Sequence, residues 1–288
     1  MRIKLEPLTK VFWILLIGLP ILMVILFNYV VRTKISSEIS KLRSLSLKNE
    51  TPIPRIIHQS WKSKKNFLNL FKKISPSWKI CFPAWEYKFW TDDDNRNFIR
   101  NFYPWFLPTY DSFKSGIFRA DCARYFYMYH FGGIYTDLDN ECVKPFEHLL
   151  ANYSMVFGDI HHVFKITTIK KVTYVQNSFM YSSPKHPFWI ELIYRIMKKG
   201  SQASADVATG PYALTSMIET YINRKPNSHG IKIYEPKYFN PITWGNKLFN
   251  HKSCKSHNAM TEVEYLECRK FHIQQGSYVI QYHTHVWG

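Results

Sequence analysis

Two carboxylates with one residue between them, Asp137 and Asp139, directly follow a short apolar run at residues 134–136. This apolar run predicts a buried strand. Gly132 and Gly133 precede it and are predicted to end the helix before the strand. Acids at the carboxyl end of a strand lie where open α/β sheets bind ligands. Carboxylate oxygens suit Mn²⁺ or Mg²⁺, hard cations that also bind diphosphates. The pattern therefore predicts a metal site for a diphosphate-bearing ligand.

The segment that must position these acids is an aromatic helix, predicted at residues 115–131 from apolar side chains at three- and four-residue spacing. Its Asp and Arg residues are Arg119, Asp121 and Arg124. Asp121 and Arg124 are three positions apart and share one face of the helix. Two interpretations fit this spacing. The pair projects toward a polar ligand, or it forms an internal salt bridge that caps the core.

Two earlier segments predict strands of the same sheet. Residues 53–60 form an apolar run typical of a first buried strand, and residues 85–90 alternate apolar and polar side chains. Thr91, or the first acid after it, can cap a helix that extends to about residue 102. Residues 53–288 are long enough for one α/β domain with a substantial core.

The N-terminal segment predicts a membrane anchor. Residues 11–31 contain no charged side chain, and a helix of that length can cross the roughly 30 Å hydrocarbon core of a bilayer. A signal peptide is the alternative, but its apolar region spans only about 7–15 residues. Residues 1–10 then form a short cytosolic tail, and the polar residues 32–52 form a stem. Basic residues flank both ends of the span, so charge alone does not decide its orientation.

The composition favours an acidic partner. The chain has 38 Lys and Arg residues against 21 Asp and Glu residues, a formal net charge of +17. Such an excess suits anionic lipid headgroups or a phosphate-bearing substrate, although a well-solvated lysine-rich surface gives the same count. The predicted anchor argues against nucleic acid as the partner. Two sequons, at Asn49 and Asn152, are glycosylation acceptors if the body of the protein is lumenal.

The five cysteines lack a CxxC pair, which argues against a structural zinc site. Cys254 and Cys268 bracket a short polar stretch and are candidates for a disulfide in a lumenal protein, although the sequence leaves their pairing open. Cys122 lies within the apolar helix and is predicted to be a buried thiol.

The segment RADCARYFYMYHFGGIYTDLDNECVKP, residues 119–145, resembles the signature of the DXD sugar-binding glycosyltransferases. That family includes the initiating α-1,6-mannosyltransferases of yeast N-glycans and the catalytic subunits of mannosyl inositol phosphorylceramide synthases. Further landmarks follow in the family's order, namely IPRIIHQSW from residue 53, Asn177 with SSPKHPFW, and Thr209-Gly210-Pro211. The resemblance implies one Rossmann-like, nucleotide-sugar-binding domain of the GT-A type and a retaining, metal-dependent glycosyl transfer.

The resemblance also implies roles for residues around the acids. Trp61 is expected to stack on the nucleotide base, with a core tryptophan as the alternative. Asp121 and Arg124 are expected to grip sugar and ribose hydroxyls, and Asp137 to contact the ribose and sugar side while Asp139 binds the metal. The remaining donor-binding residues on this view are Arg119, Tyr135 and Asn177.

The closing segment resembles a family element that covers the donor diphosphate, which implies a donor contact for Trp287. His283 or His285 is then a candidate metal ligand, with His285 preferred. This segment departs from the commoner family pattern, in which a serine precedes the tryptophan.

The function expected from these observations is transfer of mannose from GDP-mannose to the sphingolipid inositol phosphorylceramide. The alternatives are α-1,6-mannosyl transfer to N-glycans, transfer from a UDP-sugar, or a catalytically silent binding protein that keeps the fold. The expected setting is a Golgi or ER membrane, with one span, a lumenal catalytic domain and a regulatory membrane subunit as a further partner.

Overall fold

A six-stranded sheet and a two-stranded sheet form the framework of the domain. The strands in chain order are β1 (Ile56–Ser60), β2 (Glu86–Trp90), β3 (Gly133–Thr136), β4 (Asn140–Cys142), β5 (Met155–Asp159), β6 (Val175–Ser182), β7 (Ile231–Tyr234) and β8 (Val279–Gln281). The larger sheet has the order β2-β1-β3-β6-β5-β7, and β4 pairs with β8. Strand β1 is parallel to β2 and β3, and β7 is parallel to β5, whereas β6 is antiparallel to both of its neighbours. The fold is therefore mixed α/β.

Eleven helices lie within the described residues from 54 to 284. In chain order they are α1 (Asn69–Ile74), α2 (Pro76–Cys81), α3 (Asp92–Phe102), α4 (Leu107–Asp111), α5 (Gly116–His130), α6 (Glu147–Leu150), α7 (Pro187–Lys199), α8 (Ala205–Ala208), α9 (Pro211–Arg224), α10 (Pro236–Phe239) and α11 (Glu262–Gln274).

The computed structural model describes residues 54–65, 68–160, 174–200, 203–224, 230–242, 252–254 and 260–284, with five single helical positions between 23 and 37. The chain divides into two units, Met1–Glu50 and Thr51–Gly288. The predicted membrane span and stem lie almost entirely outside the described residues. Within the described residues, no helix is both long and apolar enough to cross a membrane.

The predicted early elements are confirmed with small shifts at their ends. Strand β1 begins at Ile56 and not at residue 53, and β2 ends at Trp90 as expected. Helix α3 begins after Thr91, whose Oγ1 accepts a hydrogen bond from the Asp94 amide at 3.2 Å. The Asp94 carboxylate in turn accepts from the Thr91 amide at 2.9 Å, which completes a capping box.

Helix α5 is the predicted aromatic helix, and most of its length is buried against the sheet. It ends where Gly132 and Gly133 adopt positive φ angles of 66° and 84°. A Cβ at Gly132 would lie 2.6 Å from the carbonyl oxygen of Ser182, so the turn needs glycine for space as well as for conformation. This tight turn sends the chain directly from α5 into β3 and fixes the acids beyond it.

A buried histidine locks this turn to β1. The Nε2–H of His58 donates to the carbonyl of Gly132 at 3.0 Å, and its Nδ1 accepts from Trp90 Nε1 at 3.1 Å. Its ring also stacks on Tyr127 of α5. Burial lowers the pKa of His58 to about 3, so the ring stays neutral and each nitrogen keeps its role at neutral pH.

Two disulfides brace the domain. The sequence left the pairing of Cys254 and Cys268 open, and the structure joins them in a disulfide. A second bond, between Cys81 and Cys142, was not predicted and ties α2 to β4. Cys122 is a buried free thiol, as predicted.

Candidate functional site

The two acids lie in the short turn between β3 and β4, and their side chains have different partners. The Asp137 carboxylate faces the buried side chain of Arg124 on α5, with 3.2 Å between Oδ1 and Nη1. The Asp139 carboxylate accepts from the amide of Thr284 at 3.0 Å, and its Oδ2 also lies 3.3 Å from Thr284 Oγ1. One acid is therefore held by α5 and the other by the segment that follows β8.

Arg124 is the centre of a buried charge cluster. Its side chain is 3% exposed, and Nη2 lies 3.3 Å from Asp121 Oδ1 while Nη1 reaches Asp137. The hydroxyl of Tyr135 donates to Asp137 Oδ1 at 2.6 Å, and the guanidinium lies 4.6 Å from the centre of the Tyr135 ring. The internal salt bridge considered for Asp121 and Arg124 is thus present, and it extends to the first acid of the motif.

Residues from β6 and from the loop before α9 complete this cluster. The side-chain amide of Asn177 donates to Asp121 Oδ1 at 2.9 Å, and its backbone carbonyl accepts from Arg124 Nη1 at 2.9 Å. The hydroxyl of Thr209 donates to Asp121 Oδ2 at 3.1 Å. The structure therefore brings together Asp121, Arg124, Tyr135, Asp137 and Asn177, five of the predicted site residues.

Burial dominates the electrostatics of the cluster. Desolvation raises the pKa of Asp137 to about 6, although Arg124 opposes the shift. Asp121 responds in the same way, with a pKa of about 6. Desolvation alone would lower the pKa of Arg124, but the neighbouring carboxylates outweigh it and raise that pKa, so the guanidinium remains charged. Two acids thus share one permanent cation.

The two carboxylate oxygens of Asp139 have different surroundings. Its Oδ1 is buried and has no hydrogen-bond partner among the described residues, while Oδ2 accepts from Thr284. Burial also raises the pKa of this acid. An unpartnered buried carboxylate oxygen is costly unless a cation or a donor binds it. This oxygen therefore fits a metal ligand, the role predicted for Asp139.

The predicted metal ligand His285 and the predicted donor contact Trp287 lie outside the described residues. The other candidate, His283, donates through Nε2–H to the carbonyl of Ile242 at 3.0 Å. Its backbone has a positive φ of 47°, so the chain turns sharply just before Thr284 reaches Asp139.

Trp61 lies beside the turn that carries the two acids, whereas Arg119 contacts the loop before α5. Trp61 is 8% exposed and packs edge-on against Phe71, with 5.0 Å between ring centres, in a hydrophobic cluster that also contains Leu138. This is the environment of the core tryptophan considered as its alternative role. Arg119 donates from Nη1 to the carbonyl of Phe113 at 2.8 Å.

Two residues that hold the acidic turn, residues 137–139 between β3 and β4, were not identified from the sequence. Gln59 donates from Nε2 to the Asp137 carbonyl at 3.1 Å and accepts from the hydroxyl of Tyr87 at 2.5 Å. Thr284 holds Asp139 from the far end of the chain. A glutamine near the end of a buried strand is a weak signal, and Thr284 carries none, because its role depends on where β8 ends.

Parts of the chain are similar to known glycosyltransferases. The family described as glycosyltransferase sugar-binding region containing DXD motif matches residues 69–156. Inositol phosphoceramide mannosyltransferase 2 of Schizosaccharomyces pombe is 35% identical over 201 residues, 65% of this chain and 52% of that protein. Mannosyl phosphorylinositol ceramide synthase SUR1 of Saccharomyces cerevisiae is 31% identical over 193 residues, 65% of this chain and 47% of that protein. The chain thus spans about half the length of these relatives.

A solved structure of the PaToxG glycosyltransferase superposes with a TM-score of 0.42 at 14% identity, covering 69% of this chain and 81% of that one.

Proposed function

Residues 69–156 match the DXD-containing sugar-binding region of glycosyltransferases, and we propose that the protein is a retaining, metal-dependent mannosyltransferase that moves mannose from GDP-mannose to inositol phosphorylceramide. The observation that carries the metal dependence is the buried Asp139 Oδ1, which lacks a partner among the described residues. The names of the similar fungal proteins support mannose as the sugar and a phosphoinositol sphingolipid as the acceptor. The mixed sheet with acids at the end of β3 supports a GT-A type domain.

Asp139 would hold a Mn²⁺ or Mg²⁺ ion through Oδ1, with Asp137 and His285 as the further proposed ligands. A bound ion would offset the charge that develops on the departing nucleoside diphosphate. Thr284 keeps the Asp139 carboxylate oriented for this role, because it binds Oδ2 and leaves Oδ1 unpartnered within the described structure.

The Arg124 cluster would bind the donor's sugar and ribose hydroxyls. Its members already hold one another through ion pairs and hydrogen bonds, so they need little reorganisation when a donor binds. Tyr135 fixes the Asp137 carboxylate from one side and Arg124 fixes it from the other. A preorganised polar site of this kind stabilises the charge that develops in a transition state. Its polar groups are already oriented, whereas solvent molecules would have to rearrange.

We favour attack of the acceptor hydroxyl on the same face of the sugar that the diphosphate leaves. The new bond joins the acceptor oxygen to the anomeric carbon while the bond from that carbon to the phosphate oxygen breaks, and the hydroxyl proton passes to the leaving phosphate. The Asp121 carboxylate is poorly placed to be a covalent nucleophile instead, because Arg124, Asn177 and Thr209 occupy its oxygens.

The donor and the metal can be tested together with the purified full chain. We expect GDP-mannose to be turned over in the presence of Mn²⁺, and chelation by EDTA to abolish turnover. GDP-mannose with Mn²⁺ should also raise the melting temperature, since a ligand at 100 times its Kd stabilises a protein by about 2.7 kcal/mol. UDP-galactose and UDP-glucose serve as the comparison donors. Turnover of a UDP-sugar alone would replace the proposed donor, and no turnover or thermal shift with any donor would favour a catalytically silent protein.

We further propose that residues 11–31 anchor the protein in a Golgi or ER membrane as a single type II span, with residues 32–52 as a stem and the catalytic domain in the lumen. The two disulfides of the domain support a lumenal setting, because disulfides persist in oxidising compartments. In sealed microsomes, a protease should spare the domain, and Asn49 or Asn152 should carry a glycan that an endoglycosidase removes. Digestion of the domain without detergent would contradict this orientation.

A further inference from the structure

A cavity of about 490 Å³ lies beside the acidic turn. Its wall includes Leu138, the residue between the two acids, and its floor is formed by aromatic side chains of α1 and β2, namely Phe71, Tyr87 and Phe89. The carboxylates of Asp137 and Asp139 bind partners on α5 and after β8. A ligand in this cavity would therefore contact the acidic turn at Leu138, on a surface that the Arg124 cluster does not use.

Three lysines surround the cavity and give it a positive rim. Lys64 follows β1, Lys72 lies on α1 and Lys79 lies on α2. All three are exposed, and none forms a salt bridge within the described residues. By contrast, the neighbouring Lys73 pairs with Glu262 at 2.5 Å. The lysines of α1 and α2 that lack a salt bridge within the described residues, Lys72 and Lys79, therefore face the cavity.

The surface next to the rim carries an exposed apolar residue. Ile80 directly follows Lys79 on α2 and is 78% exposed. A large aliphatic side chain beside lysines is a combination that suits the boundary between lipid headgroups and acyl chains. The aromatic floor, the positive rim and Ile80 together match an amphiphile that has an anionic phosphate, a ring and an apolar tail.

We propose that this lysine-rimmed cavity is the acceptor site, and that it receives the anionic phosphate-bearing headgroup of the lipid while Ile80 contacts the bilayer surface. This inference rests on the proposed glycosyl transfer. The lysines bind the headgroup phosphate, the aromatic floor packs against the headgroup ring, and the position of Leu138 brings a headgroup hydroxyl to the acidic turn. The Arg124 cluster offers polar partners for the donor's hydroxyls, whereas the aromatic cavity floor offers few polar groups.

Lysine footprinting tests the site without relying on turnover. The full chain in non-ionic detergent micelles is treated with an amine-acetylating reagent, with inositol phosphorylceramide or with uncharged ceramide in the micelles. We expect the phosphate-bearing lipid to slow acetylation of Lys72 and Lys79 by about ten-fold, as expected for lysines near an anionic headgroup. Lys198, exposed on α7, is the internal control and should react at the same rate in both.

Kinetics with charge-reversed variants provides the second measurement. The double variant Lys72→Glu/Lys79→Glu should raise the KM for inositol phosphorylceramide by at least about ten-fold, and by more than it changes the KM for GDP-mannose. Lys198→Glu is the matched control and should leave both KM values unchanged. Protection of the lysines in a preparation that transfers no mannose would support the site and count against the proposed function alone. Equal acetylation with both lipids, or protection by GDP-mannose with Mn²⁺ in place of the lipid, would overturn the inference.

Discussion

Asp139→Asn is expected to reduce the proposed mannose transfer by about a thousand-fold or more at saturating Mn²⁺, since the proposed metal ligand loses its charge. The substitution keeps the volume of the side chain, and an amide oxygen can still accept from Thr284. It also removes a buried charge that desolvation disfavours. The melting temperature without metal should therefore be unchanged or higher, while the stabilisation by Mn²⁺ with GDP-mannose should disappear.

The control for this experiment is Asp93→Asn, which alters an exposed acid in the first turn of α3. It should leave both turnover and the metal-dependent thermal shift unchanged. Near-normal turnover of Asp139→Asn at saturating Mn²⁺ would show that the acid does not hold the metal. Loss of the folded state would instead point to a structural role for the contact with Thr284.

Arg124→Gln is expected to lower the free energy of unfolding by about 3–5 kcal/mol, because it leaves buried carboxylates without their counter-ion. The guanidinium is the cation that Asp121 and Asp137 share, and glutamine cannot supply its charge. Activity should fall as well, since both acids would reorganise. The unfolding midpoint in urea, measured for the full chain in detergent, reports the change in stability.

The pH dependence of this variant follows from the sign of the carboxyl shifts. Asp121 and Asp137 have pKa values of about 6 in the folded protein, above the ordinary value of 3.8, and loss of Arg124 raises them further. Because the pKa of these acids is higher in the folded state than in the unfolded state, the folded state binds more protons. The folded state therefore gains stability as pH falls through the folded pKa. The deficit of Arg124→Gln should therefore be smaller at pH 5 than at pH 7.5.

A second-site change distinguishes a shared cation from simple loss of packing. Adding Asp121→Asn to Arg124→Gln removes one of the two uncompensated charges and should recover part of the lost stability. The matched exposed pair is Arg96 with Asp111, joined at 2.7 Å on the surface. Arg96→Gln should leave the unfolding midpoint nearly unchanged, as is usual for surface ion pairs. Equal losses from Arg96→Gln and Arg124→Gln, or no recovery in the double variant, would contradict the account.

The local elements around the site can be predicted from the order of amino acids alone. Apolar spacing predicted α5, paired glycines predicted its end, and Thr91 predicted the start of α3. These features follow from interactions within a few residues, such as helix periodicity, capping and the conformational freedom of glycine, so the order of amino acids is sufficient to indicate them. The acids at the end of β3 follow from the same reasoning.

Which distant residues meet at the acids depends on how the strands and helices pack in three dimensions. Spacing left open whether the Asp121–Arg124 pair is a ligand site or a salt bridge, and the packing of α5 on the sheet brings Arg124 onto Asp137 as well. The bond between Cys81 and Cys142, 61 residues apart, depends on where β4 lies relative to α2. Thr284 reaches Asp139 because β8 pairs with β4, a contact between residues 145 positions apart. Such contacts are set by strand order and packing, which no local pattern in the chain encodes.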